Sequence, residues 1–503
     1  MHRLRRGFLG CEAQESSKSK TKKSQSTTRK ARELTIFIFR KIGRKWAIVR
    51  QARATAYIRG MDKPRSILLY AERDSPRWRY AVDVLLHHIL GYSYRLTFDR
   101  EEARVWVGPL LVYGVDPMAF ETGIRVRAVD LLHRKGVQPI DEDPAYWGDL
   151  PVFFKTHRIY DVPFDVFAAT FYLLSRYEEY LPHSTDAHGR PDPNATLRGR
   201  EGWLNKALVD RYALRLAALL RQHWPHLPEP CRRYCFVPTI DIDQMYAYRH
   251  KPPIRLLLGG MRDLLAGRFR DVHQRLGVVF GAQPDPFDTY SLLHHWHRAT
   301  GAKPMFFVQM GNYGGHDKAH PPAGRAFRAV VKQLQSEGVV GIHPSYRSNE
   351  QAKLLVLELK RLESHLGDPV RHSRQHFLRM QLPQTLRNLG ELGIQHDYTM
   401  GYAAETGFRS GTATPHPFYD LSSECVLPIT VHPTCVMDVT LMQYLRLTPE
   451  LALDRIRVLV DEVRAVGGHM ITLWHNSSLS GHGPWLGWED VYPAVLKEAA
   501  GGE

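Results

Sequence analysis

Tyr234-Cys235-Phe236-Val237-Pro238-Thr239-Ile240-Asp241-Ile242-Asp243 is the stretch from which the fold is read. Its apolar run, residues 234–240, is short and ends in two carboxylates. A run of this length suits a buried parallel strand that delivers acids to a cleft. Successive side chains of a strand alternate faces, so Asp241 and Asp243 point one way and Ile242 the other. Two carboxylates on one face repel unless a cation lies between them or one takes a proton. One reading is therefore a metal ligand beside a general base. The other is a loop pair that caps a helix or faces water, and the stretch alone leaves both open.

Downstream, strand and helix signals alternate to the end of the chain. Strand candidates are Phe236–Ile240, Pro304–Gln309, Val339–His343, Ile394–Tyr398, Cys425–Val431 and His469–His475. Asp285-Pro286 is expected to open a helix that Gly301 closes, and Ser348 with Gln351 to form a capping box. Thr448-Pro449 opens a last helix with Leu451, Ile456, Leu459, Val463 and Val466 inward, ended by Gly467-Gly468. About seven β-then-α repeats over this length predict a parallel sheet curled into a barrel or near-barrel, of irregular (β/α)7 type, over residues 233–503. Sites in such folds lie at the C-terminal ends of the strands. Asp241 and Asp243 end the first strand, His343 the third and His475 the last, so the four are expected on one rim. His294, His295 and His297 read as a helix surface.

Upstream, Pro225, Pro228 and Pro230 mark a boundary. Residues 61–232 read as a smaller α/β domain with strands at Ile67–Ala71 and Arg104–Val107 and a helix at Trp78–Ile89. A further helix is opened by Pro163 and stopped by Pro182. Arg176, Glu178 and Glu179 read as an ion-paired face rather than as catalysts. No glycine-rich nucleotide loop is found in this half.

The chain has 503 residues, 43% hydrophobic and 24% charged, ordinary for a soluble globular protein. Its net charge of +16 is uneven: residues 1–60 hold 17 of the 68 Lys and Arg but 3 of the 52 Asp and Glu. The rest is nearly neutral. Residues 1–60 are expected to be a basic, disordered extension, with Met61 an alternative start, and nucleic acid is disfavoured as a partner. Leu34–Val49 is broken by Arg40, Lys41, Arg44 and Lys45, and no apolar run reaches membrane-helix length. The five cysteines lack metal-finger spacing, and Cys231 and Cys235 read as small buried apolar residues. With no secretory signal, a reducing, cytoplasmic setting is expected.

On these residues, 234–480 resembles the polysaccharide deacetylase superfamily (carbohydrate esterase family 4), and the layout looks like a bacterial two-domain subgroup of it. The family's Thr-x-Asp-Asp motif is matched by Thr239-Ile240-Asp241-Ile242-Asp243 as an Asp-x-Asp variant. That match implies Asp241 as base and Asp243 as metal ligand. The final motif, an apolar strand ending in His, is matched by Ile471–His475 and implies that His475 protonates the leaving amine. The second motif departs: the family has two histidines four apart, whereas His343 is followed by Pro344-Ser345-Tyr346-Arg347. Arg374-Gln375-His376-Phe377-Leu378-Arg379 lies where the family carries an Arg-containing third motif. His376 is expected to supply the absent imidazole, giving Asp243, His343 and His376 as ligands of a divalent metal, Zn2+. The resemblance implies a hydrolase of a non-peptide C–N bond that N-deacetylates an N-acetylated sugar or glycan, with Arg374 or Arg409 steadying the oxyanion. Gly407–Thr412 is expected on the rim, and Trp474, Trp485 and Trp488 are candidates for stacking on sugar rings. The alternative is a catalytically inactive barrel, its metal excluded by Arg347, that binds carbohydrate or a partner.

Overall fold

The computed structural model describes residues 66–140 and 143–501; the expected basic extension, residues 1–60, lies outside the described residues. Residues 65–503 form one unit. It opens with a parallel sheet of Ile67–Ala71 (β1), Tyr94–Thr97 (β2), Leu110–Gly114 (β3) and Ile124–Arg127 (β4), ordered β2-β1-β3-β4. β1 and β3 are aliphatic except for Tyr70 and Tyr113 and are buried along their whole length, as strands covered on both faces should be. A small antiparallel ribbon follows, Ala145–Trp147 (β5) with Leu150–Val152 (β6).

Three expectations for this half are corrected. Arg104–Val107 is not a strand; the helix Arg100–Val105 runs into it, because Asp99 accepts the N–H groups of Glu101 and Glu102 and caps a first turn. The helix expected over Trp78–Ile89 is α over Pro76–Val82 and π over Asp83–Ile89. The helix expected from Pro163 spans Val166–Leu174, with Asp165 accepting from Phe167 and Ala168. It stops before Pro182, at Arg176, whose left-handed φ of 55° ends the turn.

The second sheet holds nine strands: Cys235–Ile242 (β7), Met305–Gln309 (β8), Val339–His343 (β9), His372–Ser373 (β10), His396–Asp397 (β11), His416–Asp420 (β12), Cys425–Val431 (β13), Val436–Met437 (β14) and His469–His475 (β15). Their order is β12-β13-β11-β10-β9-β8-β7-β15-β14. All neighbours are parallel except the β12–β13 hairpin. The expected barrel is thus a mixed α/β sheet whose strand pairing has two ends. Thr434, two residues before β14, bonds back to the segment at the end of β11 without a ladder, its N–H to Met400 O at 3.0 Å and its hydroxyl to Tyr398 O at 2.9 Å. The helix Pro449–Val466 is capped by Thr448 and closed by Gly467 at φ 57°. Ile456, Leu459, Val463 and Val466 face the core as expected, but Leu451 is exposed and Ala452 packs inward instead.

Each sheet has its own core, and the two cores meet: Tyr419 and Leu421 join that of the first sheet, and Ala207 that of the second. Cys231 and Cys235 are exposed rather than buried. No helix among the described residues is long and apolar enough to cross a membrane.

Candidate metal centre

Strand register brings the site together. β7 and β15 pair from Cys235 with His469 to Asp241 with His475, and β8 and β9 pair Gln309 with His343. Asp241, Asp243, His343 and His475 thereby line one cavity of about 220 Å³, with His376 from the segment after β10. One ligand atom each from Asp243, His343 and His376 lies within 4.8 Å of the others. Asp243 Oδ1 is 3.1 Å from His343 Nε2, and Asp243 Oδ2 is 3.5 Å from His376 Nε2.

The orientation of the imidazoles tests whether a cation fits. His343 Nδ1 is 2.6 Å from Arg374 O, which can only accept, so Nδ1 donates. In the neutral ring this leaves the Nε2 lone pair facing Asp243 Oδ1. His376 Nδ1 likewise lies 2.9 Å from Asp317 Oδ1. Lone pair against carboxylate oxygen is repulsive unless positive charge stands between them. Asp243 Oδ1 is buried and has no hydrogen-bond partner. A carboxylate and two imidazoles, each imidazole anchored through its other nitrogen, are a donor set that suits zinc.

Electrostatics lead the same way. Burial opposes the charge on Asp243, but His376, His343 and His475 outweigh it and hold the carboxyl well below its usual range. Burial also opposes charge on His376, yet Asp243 and Asp317 raise it to about 9. An ion entering this site would displace that proton. On the far wall His475 Nδ1 lies 2.8 Å from Asp438 Oδ1, and its backbone N–H donates to Asp438 Oδ2 at 2.7 Å. Against burial, Asp438, with Asp243 and Asp241 beyond it, holds this imidazole up to about 10.

The arginines lie elsewhere than expected. Arg374 is fully buried behind Asp241 and does not line the cavity. Its Nη1 donates to Asp241 Oδ1 at 3.0 Å, Nε to Tyr398 O and Nη2 to Thr434 Oγ1, both at 3.1 Å. Engaged this way, the guanidinium orients Asp241 instead of meeting an oxyanion. Arg409 is not in the cavity either. It pairs with Glu179 at 2.6 Å, and Glu179 also takes Arg176 at 2.8 Å. Arg347 is exposed and outside the cavity lining.

Other rim expectations are corrected by burial. Gly407–Thr412 is buried against the first region: a Cβ on Gly407 would fall 2.3 Å from Leu204 O, and its φ is 122°. Trp474, Trp485 and Trp488 are 2%, 8% and 8% exposed and belong to the core. Of the three histidines read as helix surface, His297 turns inward to Tyr492 Oη at 2.6 Å.

Sequence reasoning missed five participants. Asp438 follows the short apolar pair Val436-Met437, a weaker copy of the strand-then-acid signal at Asp241. Asp317 lies in a glycine-rich loop with no periodic signal. Phe377 and Leu378, at φ 62° and 53°, are strained left-handed residues directly after His376. Arg190 reaches in from the first region, donating to Phe377 O at 3.0 Å and Tyr444 Oη at 2.7 Å, and lines the cavity with them.

Residues 67–225 match a family of unknown function, DUF7033. No curated protein matches the chain. Among solved structures, a candidate polysaccharide deacetylase from Mycobacterium smegmatis is 14% identical with a TM-score of 0.34, over 53% of this chain and 84% of its own. A polysaccharide deacetylase from Bacillus cereus is 12% identical with a TM-score of 0.26, over 53% and 86%. A CE4 family pseudoenzyme from Bacillus anthracis is 10% identical with a TM-score of 0.26, over 53% and 62%.

Proposed function

We propose that the chain is a metal-dependent hydrolase of a non-peptide C–N bond that removes the acetyl group from an N-acetylated sugar or glycan. The observation that carries this reading is the buried, unpartnered Asp243 Oδ1 facing His343 Nε2, with His376 in reach of the same point. A divalent ion held by Asp243, His343 and His376 would polarise the acetamide carbonyl and ease ionisation of water. Asp241, fixed by Arg374, takes the proton of the attacking water. His475, kept protonated by Asp438, gives its proton to the amine nitrogen as the C–N bond breaks. Water is thus divided between acetate and free amine, and the two side chains exchange the net proton. Leu378, Met437 and Leu473 form an apolar wall suited to the acetyl methyl.

Acetate release from a panel of N-acetylated oligosaccharides, run with zinc-loaded protein, tests the reading. We expect turnover by the wild type and a loss of about 10²–10⁴ in Asp241→Asn at unchanged zinc content. Full zinc loading with no acetate from any member of the panel would sink the sugar assignment, and failure to bind zinc would sink the hydrolase.

A further inference from the structure

Between β7 and β8, on the chain's way out of the candidate site, two helices are inserted: Pro253–Leu265 and Phe269–Val279. The first is amphipathic but inside out. Its one buried residue is Asp263, 3% exposed, while Ile254, Leu257, Leu258, Met261, Leu264 and Leu265 face solvent. Their spacing of three and four residues makes one continuous stripe along the helix. The second helix repeats the pattern with exposed Phe269, Leu276 and Val279, continued by Phe280 just past its end. Leu265 and Phe280 are 86% and 80% exposed. Exposed apolar area this contiguous marks a docking surface.

Charge selects the occupant. Residues 249–281 hold seven Lys and Arg against two Asp. Both Asp are engaged within the hairpin: Asp263 by Arg268 and Arg275, each at 2.5 Å, and Asp271 by Arg268 at 3.7 Å. Arg249 pairs with Asp288 outside the hairpin; exposed Arg262, 3.6 Å from Asp263, and exposed Arg270 flank an apolar stripe of Leu, Ile, Met and Phe, the composition of a helix that lies in a membrane interface. We infer that the hairpin 253–279 docks the protein on an anionic lipid surface, its apolar stripe in the acyl boundary and its arginines at the phosphates. The chain enters the hairpin from the strand that carries Asp241 and Asp243. Arg255 ties the hairpin to the loop of Asp317, stacking 3.9 Å over Tyr313 and donating to Ala319 O at 3.2 Å. The docked element therefore abuts the rim of the candidate site.

Vesicle sedimentation of the full chain tests this without reading activity, so its outcome is separate from that of the proposed hydrolysis. The probe is mixed phosphatidylglycerol–phosphatidylcholine vesicles, with pure phosphatidylcholine as the neutral control. Because residues 1–60 are also basic, the discriminating variant is Leu257→Glu/Leu265→Glu, which leaves that segment intact and removes only exposed side chains. We expect binding to anionic vesicles that persists in part at high salt, and a fall of at least about tenfold in the variant, the factor that one lost leucine burial is worth. Hydrogen exchange should show protection on vesicles confined to residues 253–280. Equal binding by variant and wild type, or protection outside the hairpin, overturns the inference. So does a dimer in solution that the variant makes monomeric with no change in vesicle binding, which would assign the stripe to a second copy of the chain.

Discussion

The two sheets of this chain both carry acids near their strand ends, and one of those carboxylates fares unlike the others. In the first region the chain itself satisfies Glu72, at the end of β1, and Asp165, which caps the helix Val166–Leu174. Glu72, directly after β1, accepts the N–H groups of Val115 at 2.9 Å and Asp116 at 3.2 Å. Asp165 accepts from Tyr113 Oη, from the Val129 N–H, and from the first turn of its own helix. In the second sheet Asp243 Oδ1 is buried with no hydrogen-bond partner, and the Nε2 atoms of two imidazoles turn toward the same carboxylate. An acid at a strand end is therefore not a site signal by itself. What marks the candidate centre is a buried carboxylate oxygen that the fold leaves unsatisfied, the one such oxygen among the described residues; leaving it so costs roughly 1–3 kcal/mol unless a ligand completes it.

The strongest way to break this contrast is Asp241→Asn. Acetate release is expected to fall by about 10²–10⁴, the usual worth of a positioned base, with zinc retained. A variant that still turns over would remove Asp241 from the chemistry. Next comes the buried ion pair that joins the regions. Arg409→Ala strands Glu179 without its stronger partner and should cost about 3–5 kcal/mol in urea unfolding.

The same carboxylate sets a pH dependence. Burial opposes the charge on Glu179, but Arg409 and Arg176 lower it from 4.5 to about 2. A depressed native value means stability that is full above pH 4.5 and lost as pH falls through about 2. The stability gap between wild type and Glu179→Gln should shrink over that window; a constant gap would show that the charge is not what Glu179 contributes.

A smaller effect is expected at Asp438→Asn, which loosens His475 without touching the ligands. Activity should drop about 10–100-fold at unchanged zinc affinity, and the alkaline limb of the pH–rate profile, set by protonated His475, should move to lower pH. The smallest belongs to the first sheet: Glu72→Ala should cost about 1 kcal/mol and alter neither zinc content nor turnover. Any loss of zinc there would erase the distinction between the sheets.

Much of the second region was readable because strand ends and helix caps are local events. Val339–His343, Cys425–Val431 and His469–His475 keep their expected bounds, and Thr448 and Gly467 close the last helix from both ends. The strands β10 and β14 were not readable, since two residues carry no period. Arg104–Val107 misled because its alternation was overruled by the Asp99 cap. The aromatic residues after β15 misled because composition shows a glycine- and proline-rich loop but not which way its tryptophans turn.

Residue identity alone established which groups could do chemistry here, because alternation along β7 puts Asp241 and Asp243 on one face whatever surrounds them. Folding decided which of those groups are left wanting. The carbonyl that turns His343, the carboxylates of Asp317 and Asp438 that hold His376 and His475, and the fork of Arg374 behind Asp241 all come from distant segments. Satisfaction of a buried polar atom is a property of its three-dimensional neighbours, and no local pattern records it.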